Sequence, residues 1–311
     1  MNITFMGTAE LSCASLDRLA GEPQIKITAV VTQPDKRRGR DLNLQAPPVK
    51  VLAQKLRLPV LQPPKARDEI FISTLRAAKP DLIVVIAYGH ILPQAILDLP
   101  RFGCLNVHAS LLPKYRGAAP IQWAIANGES QTGVTIMKMD AGMDTGPILT
   151  RQSVPILTED DSVTLHNRLA NLGAELLIQT IPDYVSGKIQ PAPQPDGASY
   201  APKIKKDDGH INWNLTARAI FNRMRAFRPW PGTFIFVKRH SKSHLLKIWQ
   251  ARVVEQEGPA GHILSADENG ITIACGQNAL CITALQLEGG RRLPARDFLT
   301  GHPLNVGETV E

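Results

Sequence analysis

The chain has 311 residues, 43% of them hydrophobic. That is enough for two domains with buried cores and too apolar for global disorder. The formal charge is +7, the four cysteines (Cys13, Cys104, Cys275, Cys281) show no C-x-x-C spacing, and no apolar run approaches the roughly 20 residues of a membrane span. A disulfide or zinc framework, a membrane span and a signal peptide are therefore not expected, and a cytoplasmic protein is.

From the N-terminus, "NITFMG" (2–7) is an apolar run closed by glycine and predicts a strand. "ELSCASLDRLA" follows with helical spacing, and "IKITAVVT" (25–32) is β-branched and predicts a second strand. "VKVLAQKL" (49–56) and "EIFISTLRAA" (69–78) predict helices. "DLIVVIAYG" (81–89) is nearly all apolar, the pattern of a strand covered on both faces. A short helix "PQAILDL", a strand "CLNVHAS" and a helix "APIQWAIANG" stopping at glycine come next. "GVTIMKM" and "ILTRQSVPI" predict paired strands, and residues 162–187 predict a long helix with Pro182 at its end or at a kink. Strand and helix alternate, so the expected fold class is α/β, with a Rossmann-like, open and mostly parallel sheet over residues 1–188.

Residues 189–208 are proline-rich with little periodicity and predict an extended linker. Beyond it come one helical stretch (216–227) and a series of short β-like runs separated by turn residues, which predict a small C-terminal antiparallel β-barrel domain over 209–311. Charge is uneven. Lys188 to Arg252 carry thirteen Lys or Arg against three acids (Asp196, Asp207, Asp208), a local balance of +10 that leaves the remainder near −3. One strongly basic segment in an otherwise slightly acidic chain favours a polyanionic partner, because neutralising phosphates releases counterions.

Ligands of open α/β sheets bind beyond the carboxyl ends of the strands. "FMGTAE" (5–10) has a single glycine and is no dinucleotide fingerprint. "AYGHILP" (87–93) and "NVHASLLP" (106–113), with "MDAGMDTGP" (139–147), are the other candidates. Asn106 and His108 lie two apart on a predicted strand and leave the same face. Asn offers an N–H to a developing oxyanion, and His carries a proton near neutral pH. Asp144 sits in a glycine-flanked loop from which a carboxylate can turn toward the imidazole. The trio suits attack of an amine on a carbonyl-type carbon, while the same spacing also fits a structural histidine bonded to a carboxylate. Lys36, Arg37, Arg38 and Arg40 surround Gly39 and read as a basic loop for phosphate contact. Phe227, Trp230 and Phe234 are expected to pack the second domain's core or its seam, with Trp230 as an anchor.

"NVHASLLPKYRGAAPIQWA" (106–124) and "DAGMDTGPIL" (140–149) resemble the formyltransferase family that uses 10-formyltetrahydrofolate. In order, "MGTAELS", "TQPDKRRGR", "PVKVLA", "AYGHILP", "INW" (211–213) and "FRPWPGT" (227–233) resemble the branch of that family acting on initiator methionyl-tRNA, over essentially the whole chain. The resemblance implies formyl transfer to the α-amine of the methionine for translation initiation, with 10-formyltetrahydrofolate as formyl-donating co-substrate and no metal. It implies an OB-like form for the C-terminal β-barrel domain, in contact with the tRNA backbone, and Asn106, His108 and Asp144 as the catalytic trio. It places the folate against Ile86, Ala87, Tyr88, Gly89, Ile91, Leu92, Ser110, Leu111, Leu112, Pro113 and Asp140. It assigns Lys36, Arg37, Arg38, Arg40, Lys203, Lys205 and Lys206 to the tRNA, has Arg116 face the acceptor, and implies a monomer. Formylation of a glycinamide ribonucleotide or a sugar nucleotide, and hydrolysis of the formyl donor, draw on the same trio.

Overall fold

The apolar runs of the first half become strands of one seven-stranded sheet. The computed structural model describes residues 1–38, 43–239 and 242–310. Along the chain come β1 (Asn2–Gly7), α1 (Cys13–Gly21), β2 (Lys26–Val31), β3 (Lys36–Arg38), β4 (Asn43–Gln45), α2 (Pro48–Lys55) and β5 (Val60–Leu61). Next are α3 (Glu69–Ala77), β6 (Leu82–Ile86), α4 (Gln94–Leu97), β7 (Cys104–His108), β8 (Arg116–Gly117) and α5 (Pro120–Ala126). β9 (Gln131–Lys138), β10 (Ile148–Pro155), α6 (Ser162–Val185) and β11 (Tyr200–Ala201) follow.

The sheet order is β10-β9-β7-β6-β1-β2-β5. Strands β5, β2, β1, β6 and β7 run parallel, and β9 and β10 are antiparallel additions at one edge. All five residues of β6 are buried, as a strand covered on both faces requires. Because the parallel strands share a direction, Gly7, Val31, Ile86 and His108 end on one edge of the sheet. α6 passes through Pro182 and ends three residues later.

The chain divides into two units. The first is Met1–Pro120, Gln131–Pro155 and Leu165–Ala201; the second is Ile121–Ser130, Ile156–Thr164 and Pro202–Glu311. The second unit takes segment 156–164 through Arg225, whose Nη1 donates to the carbonyls of Leu157, Thr158 and Asp160 at 2.9–3.0 Å.

In the second unit, α7 (Ala217–Ala226) precedes β12 (Thr233–Arg239), β13 (Lys242–Val254), β14 (Ile263–Asp267), β15 (Gly270–Ala274), β16 (Ala279–Leu287), β17 (Leu293–Pro294) and α8 (Ala295–Gly301). Its ladder β12-β13-β16-β15-β14 is antiparallel throughout, the β domain expected there. Ile220 and Met224 of α7 and Phe298 of α8 close a core with Ile235, Leu246 and Ile282. Phe227 and Phe234 are buried, as expected. Trp230 is not the anchor the sequence predicts: it is 57% exposed. The turn is closed by Gly232 N donating to the Phe227 carbonyl at 2.9 Å, which turns Phe227 inward and leaves Trp230 at the tip.

Several short elements have no periodic signature. β8 and β11 are two-residue strands that pair in parallel, so the proline-rich segment is extended yet fastened to the first unit. Within the basic stretch, β3 (36–38) and β4 (43–45) pair antiparallel as the two arms of a hairpin.

Candidate active site

β7 delivers two polar side chains to the carboxyl edge of the sheet. All five of its residues are buried, with Asn106 and His108 9% and 6% exposed. Asn106 is in register with Val85 on β6, and His108 with Thr135 on β9. Asp144 enters from the loop between β9 and β10. Asp140 shapes that loop, accepting from Gly142 N at 3.1 Å and Thr145 Oγ1 at 2.7 Å. Asp144 itself has φ +53°, a left-handed conformation that costs a non-glycine residue on the order of 1–2 kcal/mol. Its carboxylate meets three groups. Oδ1 accepts from Asn106 Nδ2 at 3.2 Å, Oδ2 accepts from Gly117 N at 2.8 Å, and Oδ2 lies 3.6 Å from His108 Nδ1.

His108 is held on its other side by the carbonyl of Tyr115, 2.9 Å from Nε2. A carbonyl only accepts, so Nε2 carries a hydrogen. The other ring nitrogen, Nδ1, faces Asp144.

The loop after β7 is pinned from several directions. Ser110 Oγ donates to the Lys114 carbonyl at 2.6 Å, Thr135 Oγ1 donates to the Ser110 carbonyl at 2.7 Å, and Leu112 N donates to Thr135 Oγ1 at 3.1 Å. Tyr115 N donates to Ser199 Oγ at 2.9 Å. Arg116, expected from the sequence to face the acceptor, is engaged within the fold. Its Nε and Nη2 donate to Gln194 Oε1 at 3.2 and 2.7 Å, and Gln194 Nε2 donates in turn to the carbonyls of Asp144 and Gly146, each at 2.8 Å. Gln194, Ser199 and Thr135 are absent from the sequence-based site. The first two lie in a stretch that reads as a linker, and no local pattern links them to a strand end some 80 residues away.

A family model described as formyl transferase matches residues 1–181, and one described as formyl transferase, C-terminal domain, matches residues 203–303. The chain belongs to the formyl transferase family. It is 49% identical over 308 residues to the methionyl-tRNA formyltransferase of Citrifermentans bemidjiense, covering 99% of this chain and 95% of that one. It is 48% identical to the methionyl-tRNA formyltransferase of Caldanaerobacter subterraneus, over 100% of both chains. Among solved structures, an N-formyltransferase from Helicobacter canadensis in complex with folinic acid and dTDP-3-aminofucose shares the fold at TM-score 0.64 and 19% identity, covering 90% of this chain and 98% of that one. HypX from Aquifex aeolicus in complex with tetrahydrofolic acid does so at TM-score 0.59 and 18% identity, covering 99% of this chain and 50% of that one.

The loop of this formyl transferase after β6 offers main chain rather than side chains. Tyr88 and Leu92 are buried, and Ile86 is fully buried with its carbonyl accepting from Ser12 Oγ at 2.7 Å. Burial pushes the Tyr88 phenol up to about 12, so it is neutral. Ala87 (φ +45°) and Gly89 (φ +81°) bend the backbone outward, and a Cβ on Gly89 would lie 2.5 Å from Gln33 Nε2. Among the described residues, the main chain of 87–92 is hydrogen-bonded within the fold only at the Tyr88 carbonyl, by Thr8 Oγ1 and Gln33 Nε2 at 2.9 Å each. Exposed backbone donors and acceptors, with Ile91 82% exposed beside them, fit the polar edge and apolar face of a flat heterocycle such as a pterin. No group of His, Cys, Asp or Glu among the described residues is arranged to hold a metal ion. Lys36 and Arg37 are exposed in the hairpin near Gln33, Arg40 lies outside the described residues, and Lys203, Lys205 and Lys206 are exposed in the second unit.

Proposed function

We propose that this formyl transferase moves the formyl group of 10-formyltetrahydrofolate to the α-amino group of methionine on initiator methionyl-tRNA. The meeting of Asn106, His108 and Asp144 at the sheet edge carries the chemistry. Near-full-length likeness to proteins named methionyl-tRNA formyltransferase, together with the +10 segment, supports the acceptor.

The folate supplies the formyl group. One N–H of Asn106 is committed to Asp144 and the second is free to donate to the formyl oxygen as it gains charge. Gly117 N and Asn106 hold the Asp144 carboxylate, which orients His108 through Nδ1. That Nδ1, paired with Asp144, takes the proton released by the attacking amine and returns it to the departing nitrogen. Backbone of 86–92, Ser110 to Pro113 and the Asp140 loop hold the folate. Lys36, Arg37, Arg38 and Arg40, with Lys203, Lys205 and Lys206, meet tRNA phosphates. In this reading residues 1–188 are catalytic, 189–208 connect, 209–311 bind tRNA, and a cytoplasmic monomer suffices.

The test is one assay with purified protein and formyl-folate, offering charged initiator tRNA, free methionine, a sugar nucleotide and water. Formyl transfer to the charged tRNA is expected. Transfer to the sugar nucleotide, or release of formate alone, overturns the reading.

A further inference from the structure

Asp144 has to keep a left-handed backbone while its carboxylate serves three partners. Such a conformation persists only where its surroundings enforce it. The side chain is held from β7 and β8. The main chain is held from elsewhere, by Gln194, fifty positions on. Both hydrogens of the Gln194 amide are used, on the Asp144 and Gly146 carbonyls that flank Thr145, and its oxygen receives two N–H groups of one guanidinium, that of Arg116. The amide has no freedom left: turning it over would set its oxygen against two carbonyls and its NH₂ against a cation.

Arg116 is next to Gly117, whose N–H holds the Asp144 carboxylate. β8 therefore grips Asp144 twice, directly at the side chain and through Arg116 and Gln194 at the backbone. β8 is itself fastened by β11, with Arg116 N donating to the Ser199 carbonyl at 2.8 Å and Ala118 N to the Ala201 carbonyl at 2.9 Å. We infer that Gln194, oriented by Arg116, is a positioning residue for the reaction: a clasp that keeps Asp144 where it can serve Asn106 and His108. The proline-rich segment thus contributes to the active site, and Arg116 acts through Gln194 on Asp144.

The clasp rests on the reading of Asp144 as part of the reacting trio, and the experiment separates the two. Turnover is measured in the full chain for wild type, Gln194→Ala, Gln194→Glu, Arg116→Lys, Asp144→Asn and the double variant Gln194→Ala/Asp144→Asn. Gln194→Glu keeps an acceptor for Arg116 but has no donor for the two carbonyls. Both Gln194 variants are expected to lose roughly tenfold to a hundredfold in kcat, with KM for formyl-folate and for charged tRNA within about twofold. Arg116→Lys, which keeps one donor, should lose less in the same direction. In the Asp144→Asn background, Gln194→Ala should cost less than about threefold more, because the effect passes through Asp144. Full kcat in Gln194→Glu, a loss confined to KM, or the same penalty with Asp144 already substituted overturns the clasp. Near-normal turnover in Asp144→Asn overturns the reading of Asp144 instead. Should Gln194→Ala fail to fold, Gln194→Glu and Arg116→Lys carry the comparison.

Discussion

Asn106 Nδ2 donates to Asp144 Oδ1 at 3.2 Å across 38 positions of sequence. One hydrogen bond thus joins the residue proposed to stabilise charge to the residue proposed to orient the base. The amide plane of Asn106 is set by Asp144, which fixes the direction of its remaining N–H before any substrate arrives. A donor already aimed at the site of developing charge needs no reorganisation during the reaction, the basis of its catalytic value.

Asn106→Ala is therefore expected to lower turnover on the order of 10²–10³, the usual cost of removing one such donor. Asp144→Ala should lose at least as much, since it releases both Asn106 and His108. Binding of tRNA, followed by filter retention, should persist in both. Turnover within threefold of wild type in either variant would falsify the trio.

Arg40→Ala should raise KM for charged tRNA and leave KM for formyl-folate unchanged. Its log–log dependence on salt should flatten by about 1, the signature of one lost phosphate contact. Equal weakening toward both substrates would point to misfolding of the hairpin instead.

Gly117 has φ +115°, and a Cβ there would sit 2.8 Å from the Ala201 carbonyl. Gly117→Ala should cost roughly 1–3 kcal/mol in urea unfolding, and should lower kcat by shifting the N–H that holds Asp144. Gly21→Ala is the control. Nothing lies within 4 Å of a Cβ at that position, and its stability should stay within about 0.5 kcal/mol of wild type.

The Asp35 carboxyl, at the base of the hairpin, is held below its ordinary range by hydrogen bonds from Gln62 and then Lys50. A depressed folded-state pKa stabilises above the unfolded value of about 3.9 and ceases to do so as pH falls through the folded value. Wild type should therefore exceed Asp35→Asn in urea midpoint by a constant margin from about pH 5 to neutrality, and the margin should close below about pH 4. A margin that widens on acidification would mean the carboxyl opposes folding.

Some of this molecule is readable along the chain. β1, β2, β6, β7, β9 and β10 follow from apolar runs, because burial on both faces or on one leaves a periodic mark within a single segment. Asn106 and His108 are visible because two polar groups in a core strand contradict its pattern. Asp144 is visible because glycines flank it. The +10 balance between Lys188 and Arg252 is a matter of counting.

Where side chains of distant segments meet is not readable in this way. β8 and β11 have two residues each and carry no period, yet they set Gly117 and Arg116 against the Asp144 loop. Gln194 reads as linker until the fold brings it to the Asp144 carbonyl, and Trp230 reads as core until its turn closes around Phe227. The sequence alone determined which groups the chemistry has, because residue type and local burial are properties of short segments. The tertiary structure decided how they are held, the proton-bearing nitrogen of His108 and the partner of Arg116 included. Those depend on hydrogen bonds between residues whose separation in the chain says nothing of their separation in space.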